Sequence, residues 1–83
     1  MSDYRITFEK AAVKFLKKQD RPQQERLLRA INKLPYEGDI KHLQGYDRLY
    51  RLRVGGYRVL FSKDTEVKIV NIQNIDNRGQ VYK

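Results

Sequence analysis

Residues 49–61, LYRLRVGGYRVLF, place two alternating apolar arms on either side of a Gly-Gly pair. A period of two with many β-branched and aromatic residues is typical of half-buried strands. Glycine adopts the positive φ angles of two-residue turns at little steric cost, so this pair between two such arms predicts a β-hairpin. We therefore expect antiparallel strands at 49–54 and 57–62, joined by Gly55 and Gly56.

A two-residue turn also determines which residues face one another across the hairpin. It pairs Arg53 with Arg58 and Arg51 with Leu60, and successive side chains alternate between the two faces. One face is apolar and aromatic and is expected to pack against helices. It consists of Tyr50, Leu52, Val54, Tyr57, Val59 and Phe61. The other face carries the arginines Arg51, Arg53 and Arg58.

Three arginines on one face are not expected to stabilise the hairpin. Opposed like charges destabilise a strand pair by up to about 1 kcal/mol. Guanidinium groups match the geometry of a phosphate with two parallel hydrogen bonds, and they stay charged at any cellular pH. The pattern therefore favours a binding site for an anion; the alternative is that each arginine simply extends into water.

The residues before the hairpin predict one strand and two helices. Residues 4–9 alternate apolar and polar side chains, as a half-buried strand does. Residues 9–19 carry apolar side chains at helical spacing. A second helix is expected from the start signal at Asp20 and Pro22 to about Lys33. Its predicted buried side chains are Leu27, Leu28, Ile31 and Leu34.

The remaining segments complete an α+β domain. Residues 34–47 lack a clean period and indicate an irregular crossover loop. A last strand is expected at 67–72, followed by a short polar tail that turns beside the sheet. The order β-α-α-β-β-β packs the N-terminal strand and the helical hairpin on one face of a small, mainly antiparallel sheet. At this length, a single domain over residues 1–83 is expected.

Composition narrows the classes of partner. The chain has 18 Lys+Arg against 10 Asp+Glu, a formal net charge of +8. Such a balance favours a polyanionic partner, namely nucleic acid, the ribosome, an acidic protein or an anionic membrane surface; the alternative is a role in solubility alone. There is no cysteine and only one histidine, His42, so no metal site is expected.

The chain has no apolar run of the ~20 residues that span a bilayer, and its first ten residues lack the apolar region of a signal peptide. We therefore expect a cytoplasmic protein. His42 falls in the predicted loop, where we expect it to make ordinary hydrogen bonds rather than to act in catalysis.

The segment LQGYDRLYRLRVGGYRVLF, the strand after it and the ending NRGQVYK resemble the RelE/ParE-type bacterial toxins, on the RelE-like side. The resemblance covers most of the chain, and the hairpin motif is its most specific part. It implies the RelE-like fold and a type II toxin, which enters the ribosomal A site and cleaves messenger RNA by attack of the 2′-hydroxyl. It implies no metal and no cofactor. A cognate acidic, RelB-like antitoxin would neutralise the toxin, and operator DNA would be bound only through the toxin–antitoxin complex.

The resemblance also implies roles for individual residues. Arg51 and Arg53 match basic residues of the first hairpin arm, and Arg58 matches an arginine thought to stabilise the transition state. Tyr82 matches a tyrosine placed against the nucleotide to be cut. These four residues are the expected catalytic set. The expected RNA-binding residues are Arg78, near a C-terminal family arginine, and Lys14, Lys17 and Lys18, for which a solvated helix face is the alternative.

The sequence departs from the family pattern in two places. The first arm carries arginines where the best-known members use lysines, one of them a candidate base, and arginine is a poor base. A C-terminal arginine of the family is replaced around Asp76. Two alternatives therefore stay open: a ParE-like inhibitor of DNA gyrase, and a catalytically weakened relative that binds RNA or an antitoxin.

Overall fold

The computed structural model describes residues 3–77, which form two helices and one five-stranded sheet. The elements are β1 (Arg5–Phe8), α1 (Lys10–Lys17), α2 (Arg21–Ile31), β2 (Asp39–His42), β3 (Leu49–Val54), β4 (Tyr57–Asp64) and β5 (Ile69–Asn77). The strand order is β1-β5-β4-β3-β2, with β1 parallel to β5 and the other pairs antiparallel. The predicted α+β class is confirmed, with one strand more than expected. Neither helix of this part of the chain has the length and apolar character needed to cross a membrane.

The hairpin of β3 and β4 has the predicted register. Arg53 lies opposite Arg58, Arg51 opposite Leu60 and Leu52 opposite Val59. Gly55 has a φ of 59°, and a side chain there would collide with the guanidinium group of Arg26 on α2. The positive φ angle therefore favours glycine at this position, whereas the long, exposed side chain of Arg26 can move aside.

The core lies between the two helices and one face of the sheet. Alternating positions of β3, β4 and β5 point into it, as the period of two predicts. Its buried members are Ala12, Leu27, Ile31, Leu34, Leu52, Val54, Tyr57, Val59, Phe61, Val70, Ile72 and Ile75. Tyr50, predicted to belong to this face, is only partly buried at its edge.

Helix α2 begins as the sequence predicts. The carboxylate of Asp20 accepts a hydrogen bond from the backbone N–H of Gln23 at 3.2 Å, and this satisfies one of the free N–H groups of the first turn. The helix ends at Ile31, two residues before the predicted end. The prediction that Leu28 is buried is wrong, because it is turned away from Leu27 and is 38% exposed.

Residues 39–42 form a strand where an irregular loop was expected, so that part of the prediction is wrong. Strand β2 pairs with β3, with Asp39 opposite Arg53 and Lys41 opposite Arg51. Its one apolar residue, Ile40, packs against the core. An edge strand of four residues with a single inward apolar side chain is too short to show a period of two.

The last strand is longer than expected and runs from Ile69 to Asn77 rather than over 67–72. Its pairing with β4 contains a β-bulge: Phe61 lies opposite Ile72 and Leu60 opposite Asn74, so Gln73 is an extra residue. A bulge inserts one residue and exchanges the faces of those that follow. The segment predicted to turn beside the sheet is thus a strand as far as Asn77.

Candidate functional site

The face of the sheet turned away from the helices, called here the open face, carries two rows of side chains across β2 to β5. The first row consists of Asp39, Arg53, Arg58 and Asp76, each opposite the next on the neighbouring strand. The second row consists of Lys41, Arg51, Leu60 and Asn74. The three hairpin arginines predicted to share a face therefore do so.

The first row places two arginines between two carboxylates. The Nε atom of Arg58 lies 3.9 Å from Oδ1 of Asp76, which is an ion-pair distance and too long for a hydrogen bond. At the other end of the row, Asp39 lies opposite Arg53. Opposite charges on neighbouring strands attract by about as much as like charges repel. The flanking carboxylates thus offset the repulsion between the two arginines.

A pocket of about 270 Å³ opens on this face. Its lining consists of Leu43, Arg51, Arg58, Leu60, Asn74 and Asp76. Nε of Arg51 and Oδ1 of Asp76 are buried, and neither has a hydrogen-bond partner among residues 3–77. An unsatisfied buried polar group costs roughly 1–3 kcal/mol. Arg51 and Asp76 in the pocket wall therefore each keep one polar atom that residues 3–77 leave unpaired.

The other predicted site residues lie elsewhere or outside the described residues. Lys14 and Lys17 belong to α1 and Lys18 follows it. All three are exposed, on a helix that packs against the opposite face of the sheet. They are therefore not part of the arginine site. Arg78 and Tyr82 lie outside the described residues.

His42 lies on β2, not in a loop, and pairs with Tyr50. Its ring stacks on that of Tyr50, with 4.7 Å between the ring centroids. Its Nε2 atom lies 2.7 Å from the backbone oxygen of Tyr46. Because a carbonyl oxygen can only accept, Nε2 carries the hydrogen and donates a hydrogen bond to it. The expected hydrogen bonds are present, and the alternation of β2 turns His42 away from the open face.

Carboxylates whose pKa is clearly displaced lie outside the lining of the pocket. The pKa of Asp64 is lowered, first by the backbone N–H of Val67 and further by that of Glu66 and by Arg48. The pKa of Asp3 is lowered by hydrogen bonds from Tyr36 and Lys68. Both carboxylates accept hydrogen bonds that connect turns and edges of the sheet. Among residues 3–77, no group of three or more potential metal-ligating side chains is assembled.

Sequence reasoning missed the acidic and apolar parts of the pocket. Asp76 and Asn74 fall in the segment predicted to be a polar tail, and Leu43 lies beside the unpredicted strand β2. The sequence signal that could have revealed this part of the pocket is the spacing of apolar residues in IVNIQNID. Val70 and Ile72 are two apart, whereas Ile75 follows after three, as expected when a bulge interrupts the alternation.

The fold is that of the RelE proteins. A chain of the archaeal RelE–RelB complex from Pyrococcus horikoshii OT3 superposes with a TM-score of 0.79 at 32% identity, over 93% of this chain and 97% of that one. The isolated RelE toxin of E. coli superposes with a TM-score of 0.75 over 95% and 90% of the two chains. At 23% identity this second likeness concerns the fold alone.

Sequence comparison defines the family. A curated relative from Methanocaldococcus jannaschii, named "Putative toxin RelE1", is 40% identical over 53 residues, which is 63% of this chain and 59% of that protein. The match thus spans less than two thirds of this relative. Residues 6–82 match the sequence profile described as ParE toxin of type II toxin–antitoxin system, parDE. The chain therefore belongs to the RelE/ParE superfamily of type II toxins.

Proposed function

We propose that this protein is a type II toxin that cleaves messenger RNA in the ribosomal A site. The observation that carries this proposal is the gathering of Arg51, Arg53 and Arg58 on the open face, beside a pocket in which Nε of Arg51 has no hydrogen-bond partner among residues 3–77. Asp39 and Asp76 offset part of the repulsion between Arg53 and Arg58, and a bound anion would pair the remaining donors of the array. Membership of a toxin superfamily with RelE-like neighbours supports the proposal that this anion is the backbone of an RNA.

The proposed reaction is attack of a ribose 2′-hydroxyl on the adjacent phosphorus. The bond from phosphorus to the 5′-oxygen breaks, and a 2′,3′-cyclic phosphate and a 5′-hydroxyl form. Negative charge accumulates on the phosphorane oxygens, where fixed guanidinium groups stabilise it most strongly. Arg58 and Arg51, which line the pocket, supply this charge without a metal or a cofactor. Arg53 and Tyr82 complete the proposed catalytic set.

The proposed partners follow from the charge of the chain and from its relatives. A net charge of +8 suits both the ribosome and an acidic antitoxin. The Pyrococcus horikoshii relative was crystallised as a RelE–RelB complex, and we assign this chain a RelB-like antitoxin. Lys14, Lys17, Lys18 and Arg78 are the proposed RNA-binding residues. The site of action is the cytoplasm, and operator DNA is bound only through the antitoxin complex.

The test is a cleavage assay on ribosomes programmed with a defined message. The wild-type chain should cut at the A-site codon, and Arg58→Ala should reduce the single-turnover rate by about 10²-fold or more, the usual effect of losing one group that stabilises the transition state. The matched control is Arg29→Ala on α2, an exposed arginine away from the open face. Equal cutting by wild type and Arg58→Ala would show that the arginine site is not the active site.

The family profile favours a second candidate, because its description names ParE. A ParE-like toxin would inhibit DNA gyrase and leave messages intact. Purified gyrase in a supercoiling assay separates the two functions: inhibition by the wild-type chain, with uncut ribosomal messages, assigns the ParE-like function. A third outcome, antitoxin binding with neither activity, assigns the catalytically weakened relative.

A further inference from the structure

The proposed cleavage needs a group that removes the proton from the 2′-hydroxyl. Of the six residues that line the pocket, two are leucines, one is an asparagine and two are arginines. None of these five accepts a proton at neutral pH, since the guanidinium group stays protonated. Asp76 is the one remaining residue, and its carboxylate is the only proton acceptor in the described lining of the pocket.

The position of Asp76 suits this role. Its Oδ1 atom is buried in the structure of residues 3–77 and accepts no hydrogen bond there. The same atom lies 3.9 Å from Nε of Arg58. A phosphate bound by Arg58 therefore brings its ribose next to the carboxylate of Asp76, because the 2′-hydroxyl is attached to the carbon next to the one that carries the 3′-phosphate. Asp76 is thus a free acceptor beside the proposed phosphate site.

The carboxylate also stays accessible to substrate. The side chain of Asp76 is 48% exposed and that of Arg58 is 32% exposed, so neither residue is closed off by the fold. A fully hydrogen-bonded ion pair would have to break before either group met a ligand. Here the long contact leaves both partners available, Arg58 to the phosphate and Asp76 to the adjacent hydroxyl.

The geometry points to Asp76 as the general base of the cleavage reaction, an inference that rests on the proposed function. The 2′-hydroxyl gives its proton to the carboxylate as its oxygen bonds to phosphorus. The bond to the 5′-oxygen breaks, and water gives a proton to this leaving oxygen. The hydroxide produced takes the proton from Asp76, which restores the carboxylate. Atoms and charges balance without a further reactant.

A purely electrostatic role for Asp76 predicts a different outcome. As a counter-ion to Arg58, the carboxylate would compete with the phosphate, and its removal would strengthen RNA binding and leave cleavage unchanged or faster. As a general base, it is needed for the chemical step, where such groups contribute about 10²- to 10⁴-fold. The two roles therefore predict opposite changes in the cleavage rate.

The decisive experiment measures single-turnover cleavage on programmed ribosomes, with the toxin in excess. Asp76→Asn should lower the maximal rate by about 10²-fold or more and leave the half-saturating toxin concentration equal or lower. Glu25→Gln is the matched control. It removes one negative charge from an exposed position of α2, away from the open face, and should stay within about 3-fold of wild type.

Two further measurements separate a base from other roles. Asp76→Glu keeps the carboxylate and should recover part of the rate lost in Asp76→Asn. A message with a bridging sulfur in place of the scissile 5′-oxygen needs no proton on its leaving group. If Asp76 is the base, the cleavage rate of Asp76→Asn on this message should therefore stay below that of wild type. Recovery of full rate on this message would make Asp76 an acid and overturn the inference.

The results also distinguish this inference from the proposed function. If wild type cuts the message and Asp76→Asn cuts it equally fast, the role of Asp76 is wrong while the endoribonuclease function stands. If wild type binds ribosomes and leaves the message intact, both fail. Because no hydrogen bond from residues 3–77 reaches Oδ1, Asp76→Asn should fold, and a thermal unfolding midpoint equal to that of wild type verifies this.

Discussion

The two faces of the sheet are built from alternate residues of the same strands, yet they differ in burial and in charge. On the helix side, β3 and β4 contribute Leu52, Val59 and Phe61, which are almost completely buried. One position along, on the open face, the same strands contribute Arg51, Arg58 and Leu60, which are only partly buried. The first set is explained by burial of apolar surface. The second set fits the anion site proposed above, because guanidinium groups match the geometry of a phosphate.

The difference shows how an 83-residue chain separates stability from function. A small domain has few buried side chains to spare, so a pocket within its core would weaken the fold. Here the arginines occupy the face that the core does not use. We therefore expect substitutions on the helix side to change stability, and substitutions on the open face to change binding and cleavage.

The largest expected effect on stability comes from Phe61, which is fully buried among core residues. Phe61→Ala should lower the free energy of unfolding by about 3–5 kcal/mol, because transfer and cavity terms add. Urea unfolding at neutral pH measures it. The neighbouring open-face residue provides the comparison: Leu60→Ala should cost less than half as much. Equal losses at the two positions would mean that the open face belongs to the core.

A smaller effect is expected from Arg53, which stands between Asp39 and Arg58 in the first row. Arg53→Thr removes one attraction and one repulsion of similar size, so the free energy of unfolding should change by less than about 1 kcal/mol. Affinity for a short RNA should fall. The slope of log affinity against log salt should also decrease by about 1, the amount expected for one lost phosphate contact. A normal slope would place Arg53 outside the RNA contact.

The smallest effect concerns two carboxylates with contrasting surroundings. Asp64 accepts hydrogen bonds from the backbone N–H groups of Glu66 and Val67, at 3.0 and 3.3 Å, and from Arg48 at 2.8 Å, whereas Oδ1 of Asp76 accepts none from residues 3–77. Asp64→Asn should therefore lower the thermal midpoint at neutral pH, unlike Asp76→Asn. A larger loss for Asp76→Asn would contradict the contrast between the two groups.

Asp64 should also affect how the stability of the fold changes at acidic pH. The folded-state pKa of Asp64 lies below its ordinary value of 3.8, so the folded chain binds fewer protons than the unfolded chain in that range. Its contribution to stability is present above 3.8 and is lost as pH falls through the lower folded-state pKa. Thermal midpoints between pH 6 and 3 should therefore fall less steeply in Asp64→Asn than in wild type. Parallel curves would assign acid sensitivity to other carboxylates.

The sequence predicted those parts of the fold that repeat a simple period. The hairpin register, the helix start at Asp20 and the gathering of three arginines on one face all follow from alternation and turn chemistry. Strand β2 escaped prediction because Ile40 is its only apolar residue and one residue cannot establish a period. Asp76 escaped because its pairing with Arg58 depends on a bulge, which is a property of two strands together and not of one segment.

The bulge at Gln73 has a consequence for how such a site arises and is lost. If all nine residues of β5 alternated strictly, Asp76 would turn towards the helices and Ile75 outwards. The bulge takes up Gln73 as an extra residue, so Ile75 stays in the core and Asp76 stays on the open face. Loss of Gln73 alone would therefore leave a regular strand with both side chains on the same faces, whereas loss of the bulge with all nine residues kept would place Ile75 beside Arg58.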